Sequence, residues 1–198
     1  MKIGTTVGVI GVAAIVGLST MTSATGNEGA TSIDEMIPVL IRTQSAQDLP
    51  PENLPLDSIA DLQRSSLRSL GSDGIADYWV ARAGTSEVCL ILSIPGEDAM
   101  SASTCTPLTS FYERGLSLSA GASVDDPSTA VEAYLLPADI QQEDLDISGT
   151  QSDLQRNEAA LEISLLSVVP GQSGLTPTVI ERENGPDFSF DPLVLKGR

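Results

Sequence analysis

Apolar positions fall into three kinds of pattern along the chain. Residues 3–27, IGTTVGVIGVAAIVGLSTMTSATGN, run without a charge between Lys2 and Glu28. From Ile33, helical spacing brings Ile33, Met36, Ile37, Leu40 and Ile41 onto one face, with Ser32 or Asp34 near the start. Pro38 sits inside that window, so the helix is short or begins at the proline. Beyond residue 65 the apolar residues come instead as short runs punctuated by Gly, Pro, Asn and Asp, the pattern of strands.

The clearest local pattern is a hairpin. Ile75–Ala83, containing YWVARA, and Glu87–Ile94, EVCLILSI, flank the turn Gly84-Thr85-Ser86. The second run is apolar on both faces at its centre and so belongs inside a sheet. Before it, residues 66–71 read as a strand and GSDG at 71–74 as a tight turn, because Gly and Asp tolerate positive φ. Asp57 is placed to cap a short helix with Ile59 and Leu62 inward. Prolines 50, 51 and 55 exclude regular structure, so residues 44–56 are expected to be an extended strap laid over the domain.

After Pro95-Gly96 the stretch to Thr106 is small and polar and predicts no element. Pro107–Arg114 predicts a short helix closed by Gly115. Strands are expected at 116–120, 131–137 and 161–169, with weaker ones at 177–182 and 188–195. The acidic stretch 138–158 has room for a turn or two of helix. Antiparallel strand order with few helices predicts an α+β fold: mostly antiparallel sheet with a few short helices, preceded by an N-terminal apolar export or anchor helix. The expected division is a signal peptide or signal anchor at 1–24, a linker at 25–32, and a single extracytoplasmic domain at 33–198.

The charge-free stretch has two physical readings. A basic end at Lys2, an apolar core near Val7–Leu18 and small residues Thr22 and Ala24 make a signal peptide cut after Ala24. Roughly 20 uncharged residues also suffice to cross a bilayer core of about 30 Å, so residues 3–21 would anchor the protein if uncleaved. Gly4, Gly8, Gly11 and Gly17 dilute the core and favour cleavage. In both cases the positive end stays inside and the remainder crosses.

Composition then narrows the function. Losing Lys2 with the leader leaves nine of the 10 basic residues against 27 acidic ones. Such a surface repels nucleic acid and anionic lipid and suits cations or basic partners. Cys89 and Cys105 are the only cysteines, and in an exported chain they are expected to pair. With no histidine, Ser-His-Asp and Cys-His chemistry and histidine-bound metals are excluded. The only lysine after Lys2 is Lys196, at the far end of the chain. Neither a P-loop nor a G-x-S-x-G, G-x-G-x-x-G or EF-hand loop occurs.

One stretch, Ile37–Leu118, carries a likeness. Its marks are Thr43-Gln44, Asp48-Leu49-Pro50, Ser66, Arg68, Leu70-Gly71, Asp73-Gly74, Tyr78-Trp79-Val80-Ala81, Val88-Cys89-Leu90-Ile91 and Cys105. Over this stretch, less than half its length, the chain resembles small exported actinobacterial proteins of unknown function. That resemblance implies an exported, disulfide-bearing domain, often tethered at its amino end. It brings no catalytic or binding residues.

Three residues are candidate ligand contacts, each with a structural alternative. Trp79 beside Tyr78 would make a stacking platform for a sugar or peptide, or else pack in the core. Arg68 would bind an anion, or lay its stem on the sheet and pair with an acid. The acids Asp125-Asp126 with Glu132, Glu143-Asp144 with Asp146, and Glu181 with Glu183 cluster locally, as solvated loops do. The leading expectation is a non-enzymatic binding or envelope domain with an unknown envelope or protein partner, no cofactor, no metal and no catalytic residue. The alternative is a carboxylate-dependent hydrolase of envelope polysaccharide, which needs two convergent carboxylates. A cation-binding surface protein is the third. N-terminal sequencing of the protein recovered from outside the cytoplasm is expected to begin at Thr25; recovery of intact Met1 in membranes would make residues 3–21 an anchor.

Overall fold

The structure, a computed structural model, describes residues 32–96, 99–121, 130–140, 144–145, 164–168 and 175–193. The expected export segment, the expected cleavage after Ala24 and the expected linker up to residue 31 lie outside these residues, while Ser32, placed in that linker, is described.

The described residues are mostly antiparallel sheet. Strands β1 (Arg68–Ser72), β2 (Asp77–Ala83), β3 (Glu87–Ile94) and β4 (Met100–Pro107) form one sheet in chain order. A second sheet holds β5 (Leu116–Gly121), β6 (Ala130–Leu136) and β7 (Ser164–Val168), and β8 (Thr178–Ile180) with β9 (Phe188–Phe190) makes a ribbon. Two short helices, α1 (Ile33–Met36) and α2 (Leu108–Arg114), join single 3-10 turns along the strap.

Local chemistry explains these elements. Ser32 and Glu35 form a reciprocal capping box that starts α1. Pro38 stops it at once, and the chain re-enters as a 3-10 turn over Pro38–Leu40. That change of periodicity buries Met36, Ile37, Val39 and Leu40 but turns Ile41 outward, against the expectation that it faces inward. Strands β2 and β3 pair without slip from Asp77↔Ser93 to Ala83↔Glu87, across the turn where Gly84 takes φ +53°.

Strand β3 is covered on both faces. Val88, Leu90 and Leu92, with Tyr78 and Val80 of β2, meet Leu116, Leu118, Val131, Ala133, Leu135 and Leu165 of the second sheet. Phe111 of α2 plugs the same core. On the outer face Ile91, Trp79 and Ala81 lie under Leu54, Leu56 and Leu67, with Ile59 and Leu62 alongside. Beyond the second sheet, Tyr134, Leu136, Leu166 and Val168 pack on Phe188, Phe190, Ile140 and Leu145. The layers run strap, first sheet, second sheet, ribbon.

Two expectations are corrected. Residues 100–107 form a full strand where no element was expected. The sequence MSASTCTP shows no apolar alternation, because this strand is half solvated and takes its place from β3, residue for residue from Glu87↔Pro107 to Ile94↔Met100. Asp57 caps no helix: it lies within a 3-10 turn, Leu56–Ser58, and its carboxylate accepts from Arg64 at 2.5 Å. Ile59 and Leu62 do turn inward. Gly115 closes α2 as expected, at φ +68°. A Cβ there would meet the Leu135 carbonyl oxygen at 2.7 Å, so only glycine lets β5 leave the helix against β6.

Cys89 and Cys105 are bonded, and they are direct cross-strand partners on β3 and β4. Their separation of 16 positions closes a loop worth about 3 kcal/mol in chain-entropy terms. Replacing both by alanine is expected to lower unfolding free energy by about that amount, measured by denaturant titration; an unchanged midpoint would show that the bridge adds nothing to the β3–β4 ladder.

Candidate functional site

Two grooves meet the outer strand β4. The larger encloses about 300 Å3 and is lined by Thr104–Thr106 of β4, Ser110 and Arg114 of α2, Gly115–Ser117 at the start of β5, and Ser189 and Asp191 at the end of β9. The smaller, about 80 Å3, lies where Leu54–Leu56 and Ile59 of the strap meet Ile91 and Ser101–Ser103. Both exist for one reason. The second sheet and the strap cover the two faces of the first sheet, while among the described residues no strand is hydrogen-bonded to the outer edge of β4.

The larger groove is rich in hydroxyls and carries one charge of each sign. Arg114 and Asp191 are exposed on its walls, and neither is in an ion pair. The other described arginines are committed. Arg42 pairs with Asp48, Arg64 with Asp57, Arg82 with Asp34 and Arg182 with Asp139. Arg182 also lies 3.8 Å over the Tyr112 ring, tying the ribbon to α2. Arg114 is thus the described guanidinium left for an external acceptor.

The residues singled out in the sequence lie elsewhere. Trp79 is only 4% exposed, pressed between the hairpin and the strap, with its indole N–H unpartnered. Tyr78 is fully buried on the opposite face. Its hydroxyl donates to Asp73 at 2.6 Å and lies 2.8 Å from Ser167 of β7, so it clamps one sheet to the other. Burial pushes that hydroxyl far above the ordinary tyrosine range, and Asp73 adds to the rise. Arg68 is buried and donates to the carbonyls of Arg42, Ser65 and Leu67. Desolvation lowers its pKa, and the Asp48 charge nearby opposes that. None of the three lines either groove. Cys105 does, on the exposed side of its disulfide.

Two buried carboxyls act in opposite senses. Asp48 is fully buried at the strap's foot. It accepts from Arg42, from the Ser45 backbone and hydroxyl at 2.7 and 2.8 Å, and from the Ser69 backbone at 3.0 Å. Burial alone would raise it, but these donors prevail and bring it down to about 2. Glu132 of β6 is buried with one partner, the Tyr134 hydroxyl at 3.0 Å, and its Oε1 is unpartnered. Burial pushes it up; Tyr134 offsets this only partly.

Arg114, Ser117, Ser189 and Asp191 were missed in the sequence because no motif joins them; α2, β5 and β9 bring them together. Neither groove is lined by two carboxylates. Among the described residues, no group of three potential ligands could hold a metal ion, and no helix is long and apolar enough to cross a membrane. The acids of 122–129 and 146–163 lie outside the described residues. No family model, curated protein or solved structure matches the chain.

The carboxyls predict opposite pH effects. Asp48 is depressed in the fold, so its stabilisation is present above the ordinary value of 3.8 and is lost as pH falls toward about 2. Asp48→Asn is expected to cost about 3 kcal/mol at neutral pH and to flatten that acid limb. Glu132 is raised, so the unfolded chain ionises first and stability falls as pH climbs above 4.5. Glu132→Gln is expected to remove that fall. Thermal melts from pH 2 to 9 on both variants check the signs.

Proposed function

We propose that this protein is an extracytoplasmic binding domain, exported and then released after Ala24 or held by residues 3–21, that takes its ligand in the groove between β4, α2, β5 and β9. One observation carries the reading: the groove presents an uncommitted Arg114 and Asp191 among hydroxyls and backbone. Such a surface orients a polar ligand by charge and hydrogen bonds. Its walls come from four elements set by the two-sheet core, so the site is preformed. The same reading accords with the exported actinobacterial proteins that the sequence resembles. The hydrolase alternative would require a second carboxylate beside Asp191, since one acid supplies neither of the paired arrangements that glycosidases use.

Photo-cross-linking at the cell surface tests this. A photoreactive residue at Ser117 or Ser189 is expected to trap a discrete envelope component, and Asp191→Asn with Arg114→Ala is expected to abolish the adduct. The same residue at Ile41, exposed after the 3-10 turn Pro38–Leu40 and lining neither groove, is the control. Equal adducts at all three positions would overturn the groove as the binding site.

A further inference from the structure

The chemistry of β4 identifies a class of partner. The Cα atoms of Cys89 and Cys105 stand 4.0 Å apart. That spacing belongs to the non-hydrogen-bonded pairs of an antiparallel ladder, whose N–H and C=O groups point away from each other. The ladder runs without slip, so Ser101 and Ser103 share this orientation with Cys105. Their backbone groups therefore face outward along β4. No backbone bond joins them to another described segment, and none of the three has an interaction beyond those described. Ser103 and Cys105 are exposed.

Proteins usually blunt such an edge with charges, proline, a bulge or a short strand. β4 has eight residues, pairs with β3 without a bulge, and carries no charged residue; its one proline, Pro107, is at its end. The two grooves lie end to end along this edge, the smaller at Ser101–Ser103 and the larger at Thr104–Thr106. A row of free, evenly spaced backbone donors and acceptors is complementary to one thing, another extended backbone.

We propose that β4 is a docking edge for an extended, basic segment of another protein, which adds as a fifth strand antiparallel or parallel to β4. This rests on the groove being the binding site and names its occupant. Charge selects the partner: the protein carries a formal net charge of -17, so a second copy is repelled and a basic segment attracted. Asp191 receives a cationic side chain, and Arg114 a carboxylate or carbonyl of the same segment. Leu54, Leu56, Ile59 and Ile91 around the smaller groove receive an aliphatic side chain from the other end.

The probe is a library of decapeptides with lysine alternating with randomised residues, presented to the exported, disulfide-intact protein and read by amide hydrogen exchange. Bound peptides are expected to slow exchange at Ser101, Ser103 and Cys105, and to leave Ala102 and Thr104, already bonded to β3, unchanged. Ser103→Pro removes one outward N–H without touching the β3 ladder. It is expected to weaken binding about tenfold, the worth of one backbone hydrogen bond, with the melting temperature held. Failure to select any peptide, or peptides that leave those three amides exchanging freely, overturns the proposal. Protection of the same amides on dimerisation alone also overturns it, in favour of a second copy. Adducts at Ser117 without β4 protection would keep the binding function and remove strand addition.

Discussion

Cys89, Leu90, Ile91 and Leu92 are four consecutive residues of β3, each no more than 2% exposed. Successive side chains on a strand point to opposite faces, so a run buried throughout must be covered on both sides. That requirement organises the molecule. The second sheet covers one face with Leu118, Ala133 and Leu135, and the strap covers the other with Leu54 and Leu56. Few aromatics are available, and each layer takes some: Trp79 under the strap, Tyr78 and Phe111 in the core between the sheets, Tyr134, Phe188 and Phe190 behind the second sheet.

Apolar packing is not directional, so polar groups fix how the layers sit. Asp48 gathers Arg42, Ser45 and Ser69 at the foot of the strap and joins it to β1. Asp73, Tyr78 and Ser167 form a closed set across the two sheets, with Asp73 also accepting from the Ile75 and Ala76 backbones. Arg182 fastens the ribbon to α2 through Tyr112 and to residue Asp139. These arginines and tyrosines are conspicuous in the sequence and are used in construction. The groove is built from what construction leaves over: serines, threonines, one arginine, one aspartate and the edge of a strand.

That division explains what could be read from the sequence. The β2–β3 hairpin was legible because two β-rich runs meet across a glycine turn, and α2 because Gly115 marks its end. The cysteine pair was legible from its even count in a chain expected to be exported, and the structure places the two opposite each other. β4 was not legible: Met-Ser-Ala-Ser-Thr-Cys-Thr has no apolar period, and its strand character is lent by β3. Trp79, Tyr78 and Arg68 drew attention by residue type, yet type does not tell a buried side chain from an exposed one. The groove residues drew none, being ordinary types far apart in the chain.

The sequence by itself determined the local elements with strong periodicity or turn chemistry, an acidic surface, the two-cysteine count and the exclusion of histidine chemistry. These are properties of single residues or of neighbours within a few positions. Only the tertiary structure decided that β4 is a strand whose outer edge pairs with no other described strand, that Arg114 and Asp191 share a groove, and that Glu132 is buried with one oxygen unpartnered. Each of those depends on which surfaces the packing of distant segments covers and which it leaves open, and no local pattern in the chain records that.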